Sequence, residues 1–236
     1  MSSGFKKATK QAIKLKMALS GPSGSGKTYT ALNLAKYLGG SVALLDTERG
    51  SASKYADLFD FDVAAMEPPF HPDRYCKAIE LAAKEYDILL IDSLSHAWAG
   101  PGGLLELVDD IAKRMKTQNT MMAWREATPI QNRLYDSILA APCHIIATMR
   151  SKQAYEVDRD DKGKVSVRKL GLAPVQRDNA EFEFDVACEM TMDHTLLVSK
   201  TRCQPLTDRV FKHPGKEMAG ILKEWLGQNE ATGQAA

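Results

Sequence analysis

Residues 21–28 read Gly21-Pro22-Ser23-Gly24-Ser25-Gly26-Lys27-Thr28. The run fits G-x-x-x-x-G-K-[ST], and its chemistry is phosphate binding. Its glycines let the backbone wrap closely, so that successive N–H groups point at phosphate oxygens. A helix starting near Lys27 adds the positive end of its dipole. Lys27 can reach the β- and γ-phosphates of ATP, and the Thr28 hydroxyl can ligate Mg2+. Asp92 ends the apolar run Ile88-Leu89-Leu90-Ile91. A carboxylate at such a strand tip would hold the Mg2+ shell, although a plain capping aspartate fits the same context. Hydrolysis further needs a group that orients or deprotonates water. Glu48 follows the apolar run Val42 to Asp46 and is the candidate base; a surface-loop glutamate has the same spacing.

These side chains need a scaffold that gathers them at one edge. Ile13 to Ser20 reads as a strand, with Ile13, Leu15, Met17 and Leu19 on one face. Lys27 to Leu38 has helical spacing and closes at Gly39-Gly40. Val42 to Asp46 looks like a strand buried on both faces. The alternation continues with a strand over Phe61–Met66, a helix over Asp73–Lys84 and a strand over Asp87–Asp92. Helices are predicted over Leu104–Met115 and Pro129–Ala140, and a strand over Cys143–Met149. This order predicts an α/β fold with a mostly parallel central sheet and helices on both faces. After Arg150 the pattern changes. Residues 151–180 are polar and charged, with a turn at Asp160-Asp161-Lys162-Gly163. Segments 182–192 and 195–200 predict a C-terminal antiparallel strand pair turning at Asp193-His194, and Glu217–Leu226 a final amphipathic helix.

The 236 residues, 44% hydrophobic and 26% charged, suffice for a core without disulfide or metal staples. They are expected to form one domain over 13–226 between a flexible basic tail, 1–12, and a second tail, 227–236. Charge is nearly balanced, 31 Lys+Arg against 30 Asp+Glu, so nucleic-acid contact must come from local patches. Cys76, Cys143, Cys188 and Cys203 are irregularly spaced, which argues against zinc and for reduced thiols in the cytoplasm. No apolar run approaches the ~20 residues of a membrane span, and no secretory signal is evident.

Several segments together resemble the RecA-like recombinase ATPases, over roughly residues 13–212. The phosphate loop is similar to theirs, and Leu45-Asp46-Thr47-Glu48 resembles their strand end bearing the catalytic glutamate. Tyr55 falls where that family places a tyrosine against adenine. Ile91-Asp92-Ser93 resembles their Mg2+-binding Asp-Ser. Ala147-Thr148-Met149-Arg150 matches the strand end with a polar γ-phosphate sensor, usually Gln and here Thr148. Val198-Ser199-Lys200-Thr201-Arg202 resembles a paired-cation motif, which implies that Lys200 and Arg202 reach a neighbouring subunit's ATP. Their task would be to neutralise charge on the transferring phosphoryl group; a solvent-facing basic pair is the plainer reading. The compact size is similar to phage nucleotide-binding proteins of the Sak-four-type single-strand annealing group. The resemblance implies a RecA-like P-loop NTPase fold and an ATPase stimulated by single-stranded DNA. It also implies a homo-oligomer with ATP at subunit interfaces, and a single-strand binding protein is a further candidate partner.

Residues 150–178 would correspond to the mobile DNA-binding loop of that family. Candidate phosphate contacts there are Arg150, Lys152, Lys162, Lys164, Arg168 and Lys169, and Tyr155 could stack on a base. A solvated charged hairpin has the same composition. Lys6, Lys7, Lys10, Lys14 and Lys16 could add contacts from the tail. His144 and Trp225 read as core residues. His96 reads as loop packing, with phosphate or DNA sensing as its alternative, and Met121, Met122 and Trp124 as buried packing, with a protein contact as theirs. Two other functions share the phosphate loop: an ATP-switched adaptor or helicase loader, and a small-molecule kinase with 150–170 as its lid.

Overall fold

The computed structural model describes residues 13–115, 120–159 and 165–227, with backbone only over 153–159 and 165–170. The predicted tails apart from Gly227, Lys162, Lys164 and the turn at 160–163 lie outside the described residues, as do the side chains of Tyr155, Arg168 and Lys169. The elements in chain order begin β1 (Lys16–Gly21), α1 (Lys27–Leu38), β2 (Val42–Asp46), β3 (Asp62–Ala65) and α2 (Pro72–Glu85). They continue with β4 (Ile88–Asp92), α3 (Ser95–Ala99), α4 (Leu104–Arg114), α5 (Thr120–Ala140), β5 (His144–Arg159) and β6 (Val165–Pro174). β7 (Val186–Met190), β8 (Thr195–Thr201), β9 (Val210–Lys212) and α6 (Lys216–Leu226) complete the chain.

The strand order is β3-β2-β4-β5-β1-β7-β8-β9. The pairs from β3 through β7 are all parallel, and β8 and β9 add antiparallel at the C-terminal edge. This is the expected α/β architecture, with β9 extending the predicted strand pair to three strands. Period-two alternation sorts the central strands onto two cores. Ile88, Leu90 and Ile146 face α1 and α6, with Leu34, Leu38, Met218 and Leu222. Leu89, Ile91 and Ile145 face α2 and α5, with Tyr75, Ile79, Leu134 and Ile138. His144 is buried, its Nδ1 accepting from the Leu15 N–H at 2.9 Å, and Trp225 packs against the first core, as expected of both.

Four expectations are corrected. β5 does not stop at Met149: it runs on to Arg159 and pairs antiparallel with β6, Ser151 opposite Pro174 and Arg159 opposite Val165. The polar segment is therefore a β-hairpin projecting from the central sheet. α5 begins at Thr120, nine residues before Pro129, because Ala123 and Ala127 pack against Leu104, Val108 and Ile111 of α4. Met121 and Met122, expected to be buried, are exposed. Lys16, read with the basic tail, is 4% exposed, and its amine donates to the Ala141 and Cys143 carbonyls at 2.7 Å each. It lies within β1, between β5 and β7, and its amine reaches the backbone that joins α5 to β5.

Candidate active site

The carboxyl ends of parallel strands collect the candidate residues, as open α/β sheets do. The phosphate loop leaves β1 and enters α1. Gly24 and Gly26 have φ of 82° and 87°, in the left-handed region that a Cβ disfavours. Gly26 also caps α1 without any side-chain cap, so the first-turn N–H groups face the cleft. Ser23, Gly24, Gly26, Lys27 and Thr28 border a cleft of about 920 Å3. Gly21, Pro22 and Ser25 shape the loop from behind. The Lys27 amine donates to the Gly21 and Pro22 carbonyls at 2.9 and 2.8 Å, and the Ser25 hydroxyl to the Pro22 carbonyl at 2.9 Å. Burial pulls the Lys27 pKa down, opposed by the charges of Asp92 and Glu48.

β2 and β4 are neighbours, with Asp46 opposite Asp92. The Thr28 hydroxyl donates to Asp92 Oδ2 at 2.6 Å, which joins the two expected Mg2+ ligands. Asp92 is 3% exposed; burial pushes its pKa up, while hydrogen bonds from Thr148 and Thr28 oppose the rise. Two hard oxygen donors with room for phosphate and water fit Mg2+, which keeps most of its shell from those sources. Thr148, expected at the γ-phosphate, is buried and does not border the cleft; its hydroxyl donates to Asp92 Oδ1. This contact follows from the pairing of β5 beside β4.

Glu48 borders the cleft just beyond β2. Its backbone N–H donates to Asp46 Oδ1 at 2.6 Å, which fixes the turn that aims it. Its carboxylate is gripped by Arg150, Nε to Oε1 at 2.9 Å and the second guanidinium nitrogen to Oε2. Burial raises the Glu48 pKa, but the Arg150 hydrogen bond and charge, helped by His96, bring it below the ordinary value. Arg150, expected among DNA contacts, therefore borders the phosphate cleft. It also stands at the root of the β5–β6 hairpin. Its N–H is held by the Ser95 hydroxyl at 2.9 Å, and its carbonyl accepts from the Val175 N–H at 2.6 Å. Lys152, two residues on, is exposed.

His96 packs between Thr47 and Phe70. Its Nδ1 lies 2.7 Å from the Thr47 hydroxyl, which bridges to the Ser93 backbone, and its ring stacks on Phe70 at 4.8 Å. Tyr55, from a short 3-10 turn after β2, borders the cleft as expected and meets Tyr29 edge to face at 5.9 Å. Lys200 and Arg202 lie elsewhere, at the opposite end of the sheet from the loop, since β8 runs antiparallel to β7. Nor are they unpaired: Lys200 donates to the Phe182 and Phe184 carbonyls, and Arg202 pairs with Asp185 at 2.9 Å. Sequence reasoning missed Tyr29, His194 and His213, which also border the cleft. The one available signal was the predicted Asp193-His194 turn, which gave no hint of what it would touch.

Two further facts bear on what the site does. The family model described as AAA domain matches residues 13–212, while no curated protein matches the chain. No described helix is long and apolar enough to cross a membrane.

Proposed function

The chain belongs to the AAA domain family of P-loop ATPases, and from that premise we propose that it hydrolyses ATP to act on single-stranded DNA in recombination or strand annealing. The resemblance to RecA-like recombinases and to the Sak-four-type annealing group supports this reading. In the hydrolytic step Glu48 takes a proton from water as the water oxygen attacks the γ-phosphorus. The bond to the β–γ bridging oxygen breaks, and ADP leaves. Lys27 and the free amides of the loop stabilise charge on the phosphoryl oxygens. Thr28 and Asp92 would hold Mg2+, which supplies charge neutralisation on the phosphates.

The observation that carries the DNA half is the Arg150–Glu48 pair at the root of the β5–β6 hairpin. A hairpin that engages DNA can draw Arg150 from Glu48 and free the base, so that hydrolysis awaits the strand. Lys152, Lys162, Lys164, Arg168 and Lys169 are proposed to hold the DNA phosphates, with Lys200 and Arg202 serving a neighbouring copy's ATP. Replacing Lys152, Arg168 and Lys169 by alanine tests the arrangement. Basal turnover should persist, DNA stimulation should fall, and the salt dependence of DNA binding should flatten. Unchanged stimulation would remove the hairpin from the proposal.

A further inference from the structure

The phosphate loop is touched from outside by the turn that joins β7 to β8, a segment hydrolysis does not use. That turn is braced at both ends. The Thr191 N–H donates to the Thr195 carbonyl at 2.9 Å, and the His194 N–H to the Thr191 carbonyl at 3.1 Å. The Asp193 carboxylate accepts from the Thr191 and Thr195 hydroxyls. The chain after β9 ties it down as well, the His213 N–H donating to the His194 carbonyl at 3.1 Å. His194 itself has φ 62°, in the left-handed region.

The turn meets the loop at two glycines. A Cβ on Gly24 would stand 3.5 Å from the Met192 methyl, and a Cβ on Gly26 would stand 3.1 Å from His194 Nδ1. That same Nδ1 lies 3.2 Å from the Ser25 carbonyl oxygen. A carbonyl only accepts, so Nδ1 carries the proton and donates. The Ser25–Gly26 peptide is trans, and in a planar trans peptide the N–H points opposite to the C=O. With its carbonyl turned to His194, this peptide turns the Gly26 N–H the other way. Among the described residues that N–H has no backbone partner, while the Gly26 carbonyl accepts from the Thr30 N–H at 2.9 Å. Both Gly26 and His194 border the cleft.

Glycine takes either sign of φ at similar cost, so the Ser25–Gly26 peptide can rotate unless something holds its carbonyl. Rotated, it would present an oxygen to the phosphates in place of an N–H. We propose that His194 is a positioning residue of the phosphate loop: by holding the Ser25 carbonyl it keeps the Gly26 N–H turned into the cleft as a phosphate donor. This role rests on the nucleotide-binding reading of the loop and adds what fixes one of its donors. It also joins the antiparallel edge of the sheet to the site, because the bracing of the β7–β8 turn sets where the imidazole stands.

His194→Asn and His194→Gly separate the donor from the turn that carries it. Both replacements accept left-handed backbone, but only asparagine keeps a side-chain N–H near the place of Nδ1. The full chain, isotopically labelled at glycine, is titrated with ADP and with pyrophosphate, each with Mg2+, by calorimetry and by NMR. In the wild type and in His194→Asn the Gly26 amide resonance should move downfield as pyrophosphate binds. In His194→Gly, pyrophosphate and ADP affinity should both fall about tenfold, as expected for one hydrogen bond to a charged acceptor. Its Gly26 resonance should then stay near the free position at saturation while that of Gly24 still moves, whereas a turn that only packs on the loop would leave both responding alike. His194→Gly binding as tightly as the wild type, or His194→Asn losing as much as His194→Gly, overturns the role and leaves the phosphate loop standing. A wild-type Gly26 resonance unmoved at saturation does the same, and decides the question even if the glycine variant fails to fold. A wild type that binds neither ADP nor pyrophosphate overturns both readings.

Discussion

Removing the Arg150 guanidinium separates the two things Glu48 must do, which are to sit in place and to accept a proton. In the wild type the carboxylate is held at both oxygens, and its pKa lies below the ordinary value although burial alone would raise it. The Arg150 side chain is 51% exposed and that of Glu48 21%, so solvent screens much of the pair. A pair of this kind contributes about 0.5–1 kcal/mol. If hydrolysis requires the pair to open, Arg150→Ala should raise basal ATP turnover about two- to fivefold. DNA should then stimulate little further, because nothing remains to be released. The sign for pH also follows. Glu48 works ionised, and without Arg150 its pKa rises, so the acid limb of the kcat profile should move to higher pH. The assay is steady-state phosphate release over a pH series, with and without single-stranded DNA. Basal turnover that drops to the level of a Glu48→Gln variant would refute the reasoning and make Arg150 a catalytic cation.

Lys27→Ala should abolish hydrolysis and weaken ADP and pyrophosphate alike in calorimetry, because it removes a charged phosphate contact. Lys16 is 4% exposed, and burial lowers its pKa from 10.5 to about 8. Between those values the unfolded chain holds a proton that the folded chain lacks, so stability should rise with pH, by up to about 3 kcal/mol across the window. Chemical denaturation at successive pH values should show that rise in the wild type and lose it in Lys16→Met, whose baseline is lower because two buried carbonyls lose their donor. Arg202→Ala should bind ATP nearly as the wild type does and lose DNA-stimulated turnover. Mixing it with Glu48→Gln should restore part of the activity through hybrid interfaces, and a monomer at saturating ATP and DNA with no recovery on mixing would contradict this.

The sequence showed most clearly what is contiguous. The phosphate loop lies within eight residues, and the Asp92 strand within an unbroken apolar run, so local pattern sufficed for both. The parallel sheet followed from strands such as Ile88–Asp92 whose two faces are both apolar. What was not legible depends on chain segments meeting far apart. Glu48 and Arg150 are 102 positions apart, and no local signal announces their pairing. The second half of β5 carries alternating charges that a hairpin and a loop share equally. Lys16 looked like part of a basic tail until β1 took it between β5 and β7. Pro129 resembled a helix start, whereas packing on α4 carries α5 through it. His194 and His213 belong to no motif, and only the return of β7–β9 beside β1 brings them over the phosphate loop.

Phosphate release from Mg-ATP by the full chain, measured with and without single-stranded DNA beside Glu48→Gln, bears most directly on the central claim. Wild-type turnover should rise when DNA is added, and Glu48→Gln should keep ATP affinity while losing most turnover in both conditions. Wild-type turnover indifferent to DNA, or Glu48→Gln turning over at the wild-type rate, would contradict a DNA-gated ATPase with Glu48 as its base.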